Sequence, residues 1–241
     1  MTNSQSVADV YNENYKKPNF FHYNQRLYEP LIASLVSFCK LRAGASVLDV
    51  GCGQGFFSCL LAKQGLRVHG VDLSETGIAL AQQRCADLPL RFTVADILEA
   101  TFPEPFDCVF VRSCSLYNID GFPTQRTVTD RLLELLKPGG TLIFVYNSTF
   151  RLEPGAAWRH HSLAAMRKHF SSYPGARVFF VNKLLHLFWR RLSFTRIGTQ
   201  CSAMMTRLLR KGGDFVCILE KRTTGHDSIR QQGHHTQVGM H

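Results

Sequence analysis

Asp49-Val50-Gly51-Cys52-Gly53-Gln54-Gly55 stands directly after an apolar, β-rich run and directly before a helical pattern. Glycines are needed where a chain turns sharply from strand to helix and a ligand must approach the backbone with no Cβ in the way. Asp72 ends the next apolar run, 21 residues after Gly51. A carboxylate there can accept hydrogen bonds from both ribose hydroxyls of a nucleotide lying across the strand ends. A third acid, Asp96, closes Val94-Ala95-Asp96-Ile97. The spacing is G-x-G-x-G with an acid two residues before the first glycine, not the G-x-G-x-x-G of dinucleotide sites. A pyrophosphate at a helix N-terminus gains from a turn free of carboxylates, whereas a cationic amino-acid group tolerates Asp49.

These residues need strands that end together. From residue 46 the runs SVLDV (46–50), RVHGVD (67–72), LRFTVAD (90–96), FDCVFVR (106–112) and TLIFVYN (141–147) alternate with helical patterns. FFSCLLAKQ (56–64) and TVTDRLLELL (127–136) carry apolar residues at three- and four-residue spacing, and Lys137-Pro138-Gly139-Gly140 is expected to stop the second. Ser74 offers an N-cap for a helix through ETGIALAQQR. Strands alternating with helices imply a parallel sheet covered on both faces.

VLDVGCGQG, GVDLS, VADIL, FDCVFVRS and LLKPGGTLIF, in that order between about residues 42 and 147, resemble the class I S-adenosylmethionine-dependent methyltransferases. The resemblance implies an α/β fold with a Rossmann-like, doubly wound, seven-stranded sheet whose last strand is antiparallel. Residues 214–220 are the natural last strand and 176–181 its hairpin partner. It also implies that S-adenosylmethionine is the cofactor and assigns roles by matching position. Gly51, Gly53 and Gly55 would pass under its methionine and ribose parts, with Asp49 near the amino group. Asp72 would hold the ribose, Leu73 would pack on the adenine, and Asp96 and the Ile97 backbone would read the ring. Arg112 would lie beside the methionine portion, and Tyr15, with Tyr11, would close over the cofactor from an N-terminal helix.

Methyl transfer from a sulfonium is an in-line displacement, so the protein supplies alignment and, for a hydroxyl or protonated amine, a base. The candidates are Tyr23, with His22 beside it, Tyr117, with Asn118, and His160 and His161, with Trp158. All stand in segments expected at the carboxyl ends of strands. The Asn/Asp-Pro-Pro-aromatic sequence of nucleic-acid amino methyltransferases is absent after the fourth strand, where the chain reads Arg112-Ser113-Cys114-Ser115-Leu116-Tyr117. Cys114 lacks the Pro-Cys context of a pyrimidine nucleophile and is read as a buried thiol.

Charge separates the two halves of the chain. Residues 1–150 carry 13 Lys+Arg and 14 Asp+Glu, whereas residues 151–222 carry 14 Lys+Arg and only Glu153, Asp214 and Glu220. A one-sided basic region attracts anions by sequence-independent electrostatics. Within it, 183–211 is longer than a hairpin needs and reads as two basic amphipathic helices, over 183–192 and 204–211. A small, anionic acceptor methylated at O or N, either a metabolite or a glycan precursor, ranks first. RNA is the second reading, and peripheral contact with an anionic membrane is a further use of the same face.

At 241 residues, 45% hydrophobic and 19% charged, the chain is expected to form a single domain over 1–222. That domain comprises an N-terminal helical cap (1–41), a cofactor-binding core (42–150) and a C-terminal half (151–222) with the basic insertion; 223–241 reads as a disordered tail. The eight cysteines show no C-x-x-C and no zinc spacing, so no metal is expected and they read as reduced thiols of a cytoplasmic protein. No signal-peptide pattern or 18-residue apolar stretch is present, which argues against secretion and membrane spanning.

Overall fold

The computed structural model describes residues 4–17, 23–119, 121–122, 125–148, 158–209 and 212–222; His22 and the tail beyond 222 lie outside them. Strands β1 (Ser46–Val50), β2 (Arg67–Asp72), β3 (Arg91–Val94), β4 (Phe106–Arg112), β5 (Leu136–Ser148), β6 (Arg177–Val181) and β7 (Gly213–Glu220) form one sheet in the order β3-β2-β1-β4-β5-β7-β6. The first five are parallel, and β7 runs antiparallel to both β5 and β6. Strand order reverses between β1 and β4, and at such a switch point the loops part and leave a crevice. Val50 is level with both Val71 and Val111, and Arg112 with Val145, so Gly51, Asp72, Arg112 and Asn147 reach the same edge.

Helices α1 (Ser4–Tyr15), α2 (Gln25–Phe38), α3 (Phe56–Ala62), α4 (Glu75–Arg84), α5 (Arg126–Glu134), α6 (Leu163–Phe170), α7 (Lys183–Phe188) and α8 (Arg196–Leu209) surround the sheet. On one face Val47, Cys108, Phe110, Ile143 and Val216 pack against Leu31 and Leu35 of α2 and Phe57 and Leu60 of α3. On the other, Val109, Val111, Leu142 and Phe144 pack against Val128 and Leu132 of α5 and Met166 and Phe170 of α6. Central strands buried on both faces explain the unbroken apolar runs of β1, β4 and β5. Ser74 caps α4 as expected, its hydroxyl accepting from Gly77 N at 3.0 Å.

Four expectations are corrected. The Lys137-Pro138-Gly139-Gly140 sequence does not merely stop α5: β5 already begins at Leu136, opposite Phe106, and the register slips before Cys108 pairs with Thr141. Gly139, at φ +75, takes the left-handed conformation this irregularity needs. The third strand is shorter than the apolar run that announced it, ending at Val94. The insertion folds as α7, a short 3-10 turn at Arg190–Leu192 and α8, rather than as helices over 183–192 and 204–211. Finally, Cys59 and Cys85 are not reduced thiols: they form a disulfide, Cα–Cα 5.9 Å, between α3 and the residue that ends α4. Nothing in a separation of 26 residues announces that pair; α3 and α4 meet only because both flank the glycine turn.

Candidate functional site

The turn after β1 is left-handed at all three glycines, with φ +68 at Gly51, +51 at Gly53 and +74 at Gly55. At Gly55 a Cβ would stand 2.8 Å from the Cβ of Ala81, so only glycine lets α3 close against α4. At Gly53 a Cβ would collide with the Tyr15 hydroxyl, so α1 lies directly over the turn. Asn12 fastens α1 to α4, its Oδ1 accepting from Ser74 Oγ at 2.6 Å and from Thr76 N at 3.1 Å, and Tyr11 lies toward Ser115 beyond β4. α1 therefore spans the crevice from α4 to the β4 turn. Burial pushes the Tyr11 phenol up to about 12 and Tyr15 higher still, so both are protonated donors.

Asp72 sits where the sequence set it. Its Oδ2 accepts from Gly53 N at 2.8 Å and its Oδ1 from Ser74 N at 2.9 Å. Burial raises its pKa and these bonds oppose the rise. Two carboxylate oxygens offer about four acceptor sites, which leaves capacity for a ligand hydroxyl. Leu73 follows half-buried. Asp96 Oδ1 accepts from Leu98 N at 2.9 Å, turning the chain after β3 and leaving Ile97 buried behind it.

Two of the expected ligand contacts are engaged elsewhere. Asp49 is 2% exposed and takes the Ser58 hydroxyl at 2.5 Å, because strand alternation turns residue 49 toward α3. It braces the turn from beneath, and burial drives its carboxyl up to about 7. Arg112 likewise turns to the α2 face. Its Nη2 donates to Tyr28 at 2.6 Å and its Nη1 to Tyr23 at 3.3 Å, and it lies 3.6 Å from Asp214, which also pairs with Lys183 at 2.7 Å. The Tyr23, Tyr28 and Phe57 rings lie against the guanidinium at 4.8 to 5.2 Å. A single buried carboxylate thus holds two cations, and removing Asp214 would leave both uncompensated. Sequence reasoning missed this trio; the only trace was an acid at the start of an otherwise apolar last strand.

The candidate bases separate as well. Tyr117 is fully buried, its hydroxyl 2.8 Å from Thr129 Oγ1, which in turn meets His169 Nε2 at 2.8 Å; it is a core residue. Tyr23 is held under Arg112, and burial raises its pKa. His161 Nε2 donates to the Tyr117 carbonyl at 2.9 Å, which ties residues 158–161 back to the β4 turn. Tyr146 stacks on Trp158 and donates to the Arg159 carbonyl at 3.0 Å. Among the described residues of the 158–161 segment, His160 Nδ1 and Trp158 Nε1 are buried with no hydrogen-bond partner. A groove of about 940 Å3 between α1, α3 and α4 touches Tyr15 and Gln54 on the outer side of the turn and does not reach Asp72 or Asp96.

Residues 47–140 match the family described as the methyltransferase domain. An uncharacterized methyltransferase of Mycobacterium tuberculosis (strain ATCC 25618 / H37Rv) is 40% identical over 110 residues, 45% of this chain and 54% of that one. The ubiquinone biosynthesis O-methyltransferase of Pseudomonas entomophila (strain L48) is 36% identical over 118 residues, 47% of this chain and 48% of its own. The chain therefore spans about half the length of the curated relatives it matches. Among solved structures, magnesium protoporphyrin IX methyltransferase of Synechocystis PCC 6803 with bound S-adenosylmethionine superposes with a TM-score of 0.58 at 16% identity, covering 91% of this chain and 98% of that one. The fold is that of class I S-adenosylmethionine-dependent methyltransferases, and within it residues 47–140, which include the glycine turn, are similar to the methyltransferase domain.

Proposed function

We propose that this chain transfers the methyl group of S-adenosylmethionine to an O or N atom of a small acceptor, an anionic metabolite or glycan precursor. The observation that carries this reading is α1, fastened to α4 through Asn12 and laid over the glycine turn through Tyr15, so that it roofs the crevice beside Asp72. A crevice roofed by a helix favours a small acceptor over a polymer, and the relative named for ubiquinone biosynthesis, an O-methyltransferase, agrees with that choice.

The residues present fit the cofactor: a turn with no side chain at Gly51 and Gly53, a carboxylate with spare acceptor capacity at Asp72, and Leu73, Asp96 and Ile97 beyond it. When bound, S-adenosylmethionine supplies an electrophilic methyl on a sulfonium. Asp72 fixes the ribose, and α1 with Tyr15 excludes water and holds the ligand against the turn. Aligning the reactants in this way is the larger part of the rate gain. His160 is the base we favour, because its Nδ1 is buried and bonded to nothing, whereas the Tyr23, Tyr117 and His161 groups are engaged.

A screen with methyl-labelled S-adenosylmethionine against small O- and N-nucleophiles, anionic ones first and RNA alongside, tests the reading. Label on a small acceptor supports it, and label on RNA alone refutes it. With the acceptor in hand, His160→Ala should lower kcat with cofactor Kd unchanged, as befits loss of a group that acts only in the transition state. Unchanged kcat would remove His160 from the mechanism.

A further inference from the structure

Helix α8 is amphipathic in the wrong direction for a soluble fold. Its buried face is Gly198, Thr199, Ser202 and Thr206, while Ile197, Met204 and Leu208 are 64%, 57% and 69% exposed. The buried face is small and polar because α8 covers the open edge of the sheet. Thr199 Oγ1 accepts from Phe180 N at 3.3 Å, Thr206 Oγ1 accepts from Asn182 Nδ2 at 2.9 Å, and a Cβ at Gly198 would collide with the Leu192 carbonyl. Edge strands are commonly covered in this way. Edge covering explains the inner face and leaves the outer one, Ile197, Cys201, Met204 and Leu208 in one stripe, without a structural purpose. The preceding segment adds to it: Phe188 is 81% exposed, Trp189 51% and Leu192 43%.

The charges within this segment are all of one sign. Residues 183–209 contain Lys183, Arg190, Arg191, Arg196 and Arg207 and no Asp or Glu. All but Lys183 are exposed. Arg196 also lines a groove of about 610 Å3 with Arg167 and the rings of Phe38, Phe179 and Phe194, where an anionic headgroup would meet guanidinium and aromatic edges together; Arg177, also in its wall, is paired with Glu220 at 3.3 Å. We propose that the outer face of α7, the turn after it and α8 rests on an anionic lipid bilayer, with Phe188, Trp189, Ile197 and Leu208 entering the interface and the arginines at headgroup level. Exposed aliphatic and aromatic side chains rimmed by cations, with tryptophan among them, are what such an interface binds. A second copy of this chain would bring cations against cations with no acid within the segment to offset them.

The test is flotation of the full chain with vesicles of phosphatidylcholine alone and of phosphatidylcholine with phosphatidylglycerol. A parallel fluorescence series uses Trp158→Phe, which leaves Trp189 as the sole tryptophan. Expected are binding to the phosphatidylglycerol vesicles that weakens with salt, and a blue shift of Trp189. The triple variant Phe188→Ser, Ile197→Ser, Leu208→Ser should partition at least about tenfold less while melting where the parent melts. The proposal is overturned by failure to float with anionic vesicles, or by a triple variant that floats undiminished. It is equally overturned by self-association without lipid that the triple variant abolishes, or by RNA that displaces the chain from vesicles through the same residues.

Discussion

Helices α5 and α8 are both strongly amphipathic, yet they aim their apolar faces in opposite directions. α5 turns Val128 and Leu132 into the core formed by Leu142, Phe144 and Phe170, whereas α8 turns glycine, serine and threonine inward and isoleucine, methionine and leucine outward. The difference follows from what each one packs on. A sheet face offers apolar side chains, and a sheet edge offers backbone donors and little room. Periodicity in the sequence reports that a helix has two faces; it does not report which face the rest of the chain needs.

The comparison can be broken first at α5, where Leu132→Ala should cost about 4 kcal/mol of unfolding free energy, as buried leucine truncations do. A loss under about 1 kcal/mol by denaturant titration would mean that α5 is not the core helix described. Next is the carboxyl beneath the turn. Asp49 sits at about 7 in the fold, above its unfolded value, so its contribution is intact in acid and is lost as pH rises through that range. Stability should therefore fall by roughly 4 kcal/mol between about pH 4 and pH 8, and Asp49→Asn should flatten that slope. Third is the disulfide joining α3 to the end of α4. Replacing Cys59 and Cys85 with serine should cost about 3 kcal/mol, from the freedom restored to a loop of this length. Equal melting of parent and variant, with and without reductant, would show that the two sulfurs are not joined. Smallest is α8 itself: Leu208→Ser should change stability by less than about 0.5 kcal/mol, and a larger loss would place that side chain in packing the structure does not show.

The cofactor half was readable because its signals are local. β1, β2 and β4 coincide with their apolar runs, and Ser74, Asp72 and the three glycines act where their own neighbours require them. What sequence reasoning misplaced depends on contacts between distant segments. Arg112 was expected beside the ligand and is drawn instead to Tyr28 and Asp214 on the α2 face. Tyr117 was expected in the crevice and lies in the core with Thr129. Asp49 had the right position along the chain, but its side chain is turned toward Ser58. The insertion was recognised as helical and basic, while its boundaries and the outward direction of its apolar stripe emerged only with the edge strand it covers.

The most direct test of the central claim is calorimetric titration of the chain and of Asp72→Ala with S-adenosylmethionine and S-adenosylhomocysteine, with NAD and NADP as controls. Both sulfur ligands should bind the parent and neither nicotinamide should. Asp72→Ala should bind at least about tenfold more weakly, from loss of hydrogen bonds to a charged acceptor. Binding of a nicotinamide cofactor, or equal affinity of parent and variant, would contradict the assignment of the glycine turn and of the site built around it.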